Sequence, residues 1–520
     1  MSEERQRKGG KGARRSSGAY PVPDRLLRNL KYEYLHRELW VPLGEAGGRI
    51  TVLLSDPSDI LKRDMIENLL GTKAVDYRQA PPEEILACID HFYRDEGEGA
   101  AVRTGTMPRR GAADEPLAPE SDGTIIRIVD RMIQDAFTRR ASDIHIEPDT
   151  DGQSVLVRFR IDGECITYQS LPYRYRAAVV SRIKIMANLD ITEKRLPQDG
   201  KIGFATTGTG TIELRVATIP THGGVEDVVL RILTRGAIMT LDELNMSRED
   251  RERLLKILKK PYGLILIVGP TGSGKTTTAH AALHLLNRPN VKIWTAEDPV
   301  EITQKGLRQV QVHHKIGFDF SNAMRAFLRA DPDIIMVGEM RDYETAKMGI
   351  EASTTGHLVM STLHTNNAPE TIVRLLDMGI DPIAFADSLL CVLAQRLVRR
   401  LCACCREPYH PSREEFDEIA RSCDERWFAR LGVAYDEGFR LYRARGCPEC
   451  NETGYRGMMG IYELLDATDE IKHLIVSRKS MLALRKASMA QGMKTLLQDG
   501  IVKVIAGETD LSEVLSVCMR

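Results

Sequence analysis

Residues 264–278 read Leu-Ile-Leu-Ile-Val-Gly-Pro-Thr-Gly-Ser-Gly-Lys-Thr-Thr-Thr, and no other stretch of the chain constrains its fold as tightly. The apolar run is a strand buried on both faces, which occurs where helices cover a parallel sheet. Glycines at 269, 272 and 274 let the backbone curl so that successive N–H groups face one anion. A helix predicted from Lys275 adds the positive end of its dipole. The segment satisfies G-x-x-x-x-G-K-[ST] in the strand–loop–helix setting that this pattern requires. Gly269, Pro270, Thr271, Gly272, Ser273, Gly274, Lys275, Thr276 and Thr277 are therefore expected to cradle the phosphates of ATP. Lys275 is expected on the β- and γ-phosphates and the Thr276 hydroxyl on Mg²⁺.

Three further segments end apolar runs in polar residues, as strands do where a parallel sheet opens onto its ligand crevice. Asp333-Ile-Ile-Met-Val-Gly-Glu339 offers Glu339 as a second Mg²⁺ holder, where Asp is the usual acid. Val291-Lys-Ile-Trp-Thr-Ala-Glu297-Asp-Pro-Val-Glu301 offers a carboxylate to orient or deprotonate the attacking water, Glu297 first and Glu301 second. Val359-Met-Ser-Thr-Leu-His364 offers His364 as a sensor of the γ-phosphate. A lone histidine at a strand end is more often hydrogen-bonded structure, so the neighbouring motifs carry that assignment.

These elements resemble, in order and spacing, the secretion ATPase superfamily, above all the ATPases of type II secretion and type IV pilus assembly. Matching stretches include Leu328–Asp342, Thr355–Asn366 and Ala394–Cys402, and upstream Ala141–Pro148, Arg158–Gly163 and Leu196–Lys201. The resemblance implies an α/β chain with a RecA-like P-loop ATPase core at 236–400, preceded by a PAS-like α/β domain at 123–235. It implies a homohexamer in which the PAS-like domain supplies arginines to the neighbour's nucleotide. Arg215 and Arg231 are the candidates, with Arg195 behind them, and structural ion pairs are the competing role for each. Pro220–Asp227 runs one residue longer than the family pattern, which puts the role of Glu226 in question.

Cys402-x-x-Cys405 and Cys447-x-x-Cys450 form two knuckles suited to tetrahedral Zn²⁺, although the gap between them is longer than in a compact zinc ribbon. The family carries a tetracysteine insertion at this place, so 401–462 is expected to be a zinc-binding subdomain and 463–520 a helical C-terminal region. Retraction motors of the superfamily usually lack this insertion, which favours export or assembly. Cys404 is a spare thiol beside the knuckle. Residues 23–94 read as a small α/β module, for which the resemblance to the family's N-terminal domain implies a docking role, between a basic tail over 1–22 and a flexible Gly/Pro-rich linker over 95–122.

The 520 residues carry a net charge of −1 and only 6% aromatic residues. That balance speaks against a nucleic-acid motor, which needs a basic channel with stacking platforms. No apolar run reaches the roughly 18 residues of a membrane span. The expectation is a cytoplasmic protein, and the family resemblance implies that it lies peripheral to the inner membrane, partnered by an inner-membrane platform protein and a membrane anchor with a cytoplasmic domain. Its expected work is Mg²⁺-dependent ATP hydrolysis that drives pseudopilus assembly in type II secretion. Type IV pilus assembly is the first alternative and a nucleic-acid motor the second.

Overall fold

The computed structural model describes residues 21–93, 122–233 and 238–518, apart from 28–29, 31, 58, 71, 73, 150–151 and 207–209. The expected basic tail and flexible linker lie almost wholly outside these residues. Two compact units divide at Ile232/Leu233.

In the first unit, β1 (Trp40–Ala46) and β2 (Arg49–Leu54) pair antiparallel, and β3 (Val75–Gln79) adds parallel to β2. Helix Pro82–Phe92 buries Ile85, Cys88, Ile89 and Phe92, a three-and-four spacing that places them on one face. They share a core with Trp40 and Leu54. A six-stranded sheet follows, built from β4 (Asp143–Pro148), β5 (Ser154–Ile161), β6 (Glu164–Pro172), β7 (Gln198–Thr206), β8 (Gly210–Thr221) and β9 (Val225–Leu233). Its order is β6-β5-β4-β9-β8-β7. Every second residue of β5 is buried, because helices Asp122–Thr138 and Arg176–Met186 contribute to the core on one face of the sheet. Sequence reading does not anticipate β6 and β7. Both are edge strands, and their segments lack the buried apolar run that marks the inner ones.

The second unit opens with helix Arg248–Leu258, capped by the Ser247 side chain on the Asp250 N–H. Its sheet contains β10 (Gly263–Val268), β11 (Ile293–Glu297), β12 (Arg308–Gln311), β13 (Ile334–Val337), β14 (Leu358–Leu363) and β15 (Leu389–Leu401). After β15 the chain makes an excursion with β16 (Glu407–Tyr409), helix Arg413–Ser422 and β17 (Leu441–Arg443), then returns as β18 (Tyr455–Asp466). The order is β12-β11-β13-β14-β10-β15-β18, with β18 alone running antiparallel to its neighbour. All residues of β10, β13 and β14 are buried, as expected for the centre of a covered parallel sheet.

The expected boundaries at 400/401 and 462/463 need correction here. Residues 455–462 pair with β15 and complete the ATPase sheet, so the cysteine-bearing segment is an insertion between adjacent strands. The C-terminal helices are tied to that same strand. Asp499 accepts the Tyr462 N–H at 2.9 Å and the Lys503 ammonium at 2.8 Å, both within the core. The Tyr462 hydroxyl donates to the Leu244 carbonyl at 2.8 Å.

Candidate nucleotide site

Gly269 leaves β10 with φ +154°, and a Cβ there would stand 2.5 Å from the Gln395 carbonyl and 2.6 Å from Ser273 Oγ. The curl of the loop is therefore closed to any larger residue. Gly274 caps helix Lys275–Leu286 in the left-handed region at φ +83°, which glycine adopts without strain. Ser273 Oγ is buried and has no hydrogen-bond partner among the described residues. A buried hydroxyl facing nothing, beside a cradle that a Cβ would fill, fits a loop shaped around phosphate oxygens.

Lys275 is buried and turns its ammonium back onto the loop, donating to the Gly269 carbonyl at 2.8 Å and the Pro270 carbonyl at 3.0 Å. Burial lowers its pKa; Glu339 offsets part of that shift and Arg396 adds to it. Lys275 thus holds a charge at some cost, balanced by carbonyl dipoles, and a polyphosphate would relieve that cost.

The ends of β13 and β14 are laced together. Ser361 Oγ donates to the Val337 carbonyl at 2.9 Å and Thr362 Oγ1 to the Gly338 carbonyl at 2.6 Å. This brings Glu339 and His364 side by side, with Glu339 Oε1 3.3 Å from His364 Nε2 and Oε2 accepting from Arg341 Nε at 2.7 Å.

Glu297 is placed differently. It is 3% exposed at the end of β11 and accepts from Thr295 Oγ1 at 2.6 Å, Gln309 Nε2 at 2.9 Å and His280 Nε2 at 3.1 Å. Gln304 donates to His280 Nδ1 and to its carbonyl, which fixes Nε2 as the donor to Glu297. Burial alone would raise the Glu297 carboxyl, but these bonds outweigh it and hold the group below the usual carboxylate range. Since His280 lies on the helix after the phosphate loop, Glu297 braces that helix against β11. Glu301 is exposed four residues on.

Sequence reading passed over this network and also Gln395 and Arg396. Gln395 Nε2 donates to the Ser273 carbonyl at 2.6 Å, so β15 supports the phosphate loop from beneath. The stretch Ala394-Gln-Arg-Leu carried a signal as a motif, but nothing in one sequence attaches a role to it.

In the first unit, Arg231 donates to Asp143 at 2.9 Å and is largely exposed; Arg195 pairs with Glu193 at 3.1 Å; Arg215 is half-buried on β8. Glu226 forms a buried ion pair with Lys184 at 2.6 Å, a structural role that the lengthened turn does not disturb.

The four knuckle cysteines converge in the excursion, their Sγ atoms all within 4.8 Å of one another. Three of the separations are 3.9, 3.8 and 3.7 Å. A tetrahedron with Zn–S bonds of about 2.3 Å has edges of about 3.8 Å. Cys404 is exposed and outside the group. The arrangement is one that could hold a metal ion.

The model of the family described as type II/IV secretion system protein matches residues 118–516. The chain belongs to that family. It is a P-loop ATPase with the family's RecA-like core, and a MshEN domain model matches residues 15–99 ahead of it. The type IV pilus assembly ATPase PilB of Myxococcus xanthus is 39% identical over 507 residues, 95% of this chain and 87% of that protein. The type II secretion system protein E of Xanthomonas campestris is 39% identical over 500 residues, 94% and 85% of the two chains. Among solved structures, the Legionella pneumophila ATPase DotB is 20% identical and superposes with a TM-score of 0.56 over 78% of this secretion-family ATPase and 98% of its own chain, a likeness of fold.

Proposed function

We propose that this ATPase is the homohexameric motor of a type II secretion machine, peripheral to the cytoplasmic face of the inner membrane. There it drives pseudopilus assembly through an inner-membrane platform protein and a membrane anchor with a cytoplasmic domain. The observation that carries the reading is the phosphate loop closed around Lys275 with Glu339 and His364 paired at the adjoining strand ends. No described helix is long and apolar enough to cross a membrane, so contact with the machine falls to partners. Type IV pilus assembly is the second reading, favoured by the match to the Myxococcus protein over 95% of the chain. Deleting the gene in its source cell separates the two: loss of exported enzymes with surface fibres intact supports secretion, and the reverse supports the pilus.

Lys275 and the loop N–H groups hold the phosphates, while Thr276 and Glu339 are the side chains to hold Mg²⁺, which supplies charge neutralisation on the phosphate oxygens. Arg231 is suited to act on a neighbour's nucleotide. Its present pair is solvent-exposed on the arginine side, worth about 0–1 kcal/mol, and Asp143 keeps Arg160 at 3.9 Å when Arg231 leaves. Arg215 on the adjacent strand is its companion. The knuckle cysteines bind structural Zn²⁺.

Of the two candidate acids, Glu297 at the end of β11 serves as the brace and Glu301 is left to order water. Glu301→Gln should lower kcat by about 100-fold or more with an unchanged thermal midpoint. Glu297→Gln sets an amide N–H among three donors and should cost about 1–3 kcal/mol of stability. A folded but inactive Glu297→Gln beside an active Glu301→Gln would return the water to Glu297.

A further inference from the structure

Arg396 on β15 is 7% exposed, yet among the described residues no carboxylate forms an ion pair with it. Its partners are oxygens of neutral groups. Nη2 donates to the Asn366 carbonyl at 3.1 Å and to Asn366 Oδ1 at 3.2 Å, and Nη1 to the Gln395 carbonyl at 3.2 Å. Cys518, Glu370 and Glu463 act on it without forming an ion pair, and the two carboxylates are engaged elsewhere on the same turn. Glu370 accepts the Asn366 N–H at 3.0 Å and Glu463 the Ala368 N–H at 2.8 Å. A buried guanidinium with no carboxylate ion pair among the described residues is costly, and such charges persist where a further group completes them.

Two further observations say which ligand. The Arg396 charge lies on the strand that supports the phosphate loop and adds to the lowering of the Lys275 pKa that burial begins. The preceding residue, Gln395, holds the phosphate loop through the Ser273 carbonyl, while Arg396 holds the turn two residues beyond His364. The dipeptide therefore grips the phosphate loop with one side chain and the His364–Asn366 turn with the next.

We propose that Arg396 is a positioning residue for hydrolysis within its own subunit: it fixes the His364–Asn366 turn and ties the placing of that turn to the terminal phosphate of ATP. Arg is required over Lys because a planar fork reaches Asn366 through Nη2 and the Gln395 carbonyl through Nη1 at once, which a point charge does not. The proposal rests on the phosphate-loop reading above.

The test compares wild type, Arg396→Lys and Arg396→Met for ATP hydrolysis and for binding of ATP and ADP, with thermal midpoints recorded. Arg396→Lys keeps the charge and should lose about tenfold in kcat with KM changed less than about threefold. Arg396→Met should in addition weaken ATP about tenfold while leaving ADP within about twofold. The proposal is overturned if Arg396→Lys keeps wild-type kcat, or if ATP and ADP weaken equally in step with a fallen midpoint. Should Arg396→Met fail to fold, the kcat-to-KM split of Arg396→Lys decides alone. Wild type that binds no ATP would overturn the phosphate-loop reading and this proposal with it; wild type that binds and turns over, beside indifferent variants, overturns this proposal only.

Discussion

Lys275→Ala should abolish ATP hydrolysis, lowering kcat by about 100-fold or more, while the protein stays folded. The reason lies in where the ammonium sits. It is buried over the loop, held by the carbonyls of Gly269 and Pro270, and its pKa is depressed chiefly by burial. A charge held in a water-poor site acts strongly on the phosphate oxygens, where negative charge shifts during transfer, and an alanine removes it without replacement. Folding is spared because Lys275 forms no ion pair among the described residues; its bonds are to two loop carbonyls that water can satisfy once the side chain is gone. Turnover with Mg²⁺ on protein sized by light scattering checks this, with the thermal midpoint as control. Retained hydrolysis by a pure Lys275→Ala hexamer would sink the assignment of the loop as the catalytic centre.

Cys450→Ser should strip the metal from the excursion and unfold it ahead of the ATPase sheet. On the proposed reading four thiolates at tetrahedral spacing would hold Zn²⁺ jointly, and apparent binding energies in small zinc modules run to about 10–16 kcal/mol. Apart from them the excursion has a two-stranded sheet, an aromatic cluster around Phe416 with Phe428, Tyr435 and Phe439 rings 5.2–5.4 Å away, and one face packed on the C-terminal helices through Ile419, Leu441, Ile501 and Val504. Metal analysis should fall from about one zinc per chain to near zero, in keeping with a closed four-ligand site. Limited proteolysis should then cut between Cys405 and Cys447, while β15 and β18 stay paired. A variant that keeps its zinc and its protease resistance, or a wild type purified without zinc, would refute the structural-zinc reading.

Much of the second unit was legible in the sequence because its signals are local. An apolar strand, a glycine loop and a helix follow one another at 264–286, and each later strand ends in a polar residue on the crevice side. The first unit was harder. Its inner strands announce themselves by alternation, but β6 and β7 at the edges carry few buried residues and leave no such trace. Two features of the site were beyond reach for another reason. The partners of Glu297 are His280, Thr295 and Gln309, and those of Arg396 are Gln395 and Asn366; most of these contacts join separate elements of the sheet and its helices. A carboxylate seen in sequence gives no hint that its oxygens are already occupied. The boundary at 462 failed in the same way, since a strand that returns after some fifty residues to pair with β15 looks, locally, like the end of the insertion.

That return has a consequence for how such a chain can change. Leu401 and Tyr455 face each other across the ladder where the excursion leaves and rejoins the sheet. A hairpin turn of a few residues could close the same gap, so the cysteine-bearing segment is a graft on a hairpin rather than a link in the catalytic frame. It can lengthen, shorten or alter its surface without moving the Gln395–Arg396 pair a few residues back along β15. Changes to the surface of the excursion and the geometry of the nucleotide site are thereby placed on separate footings.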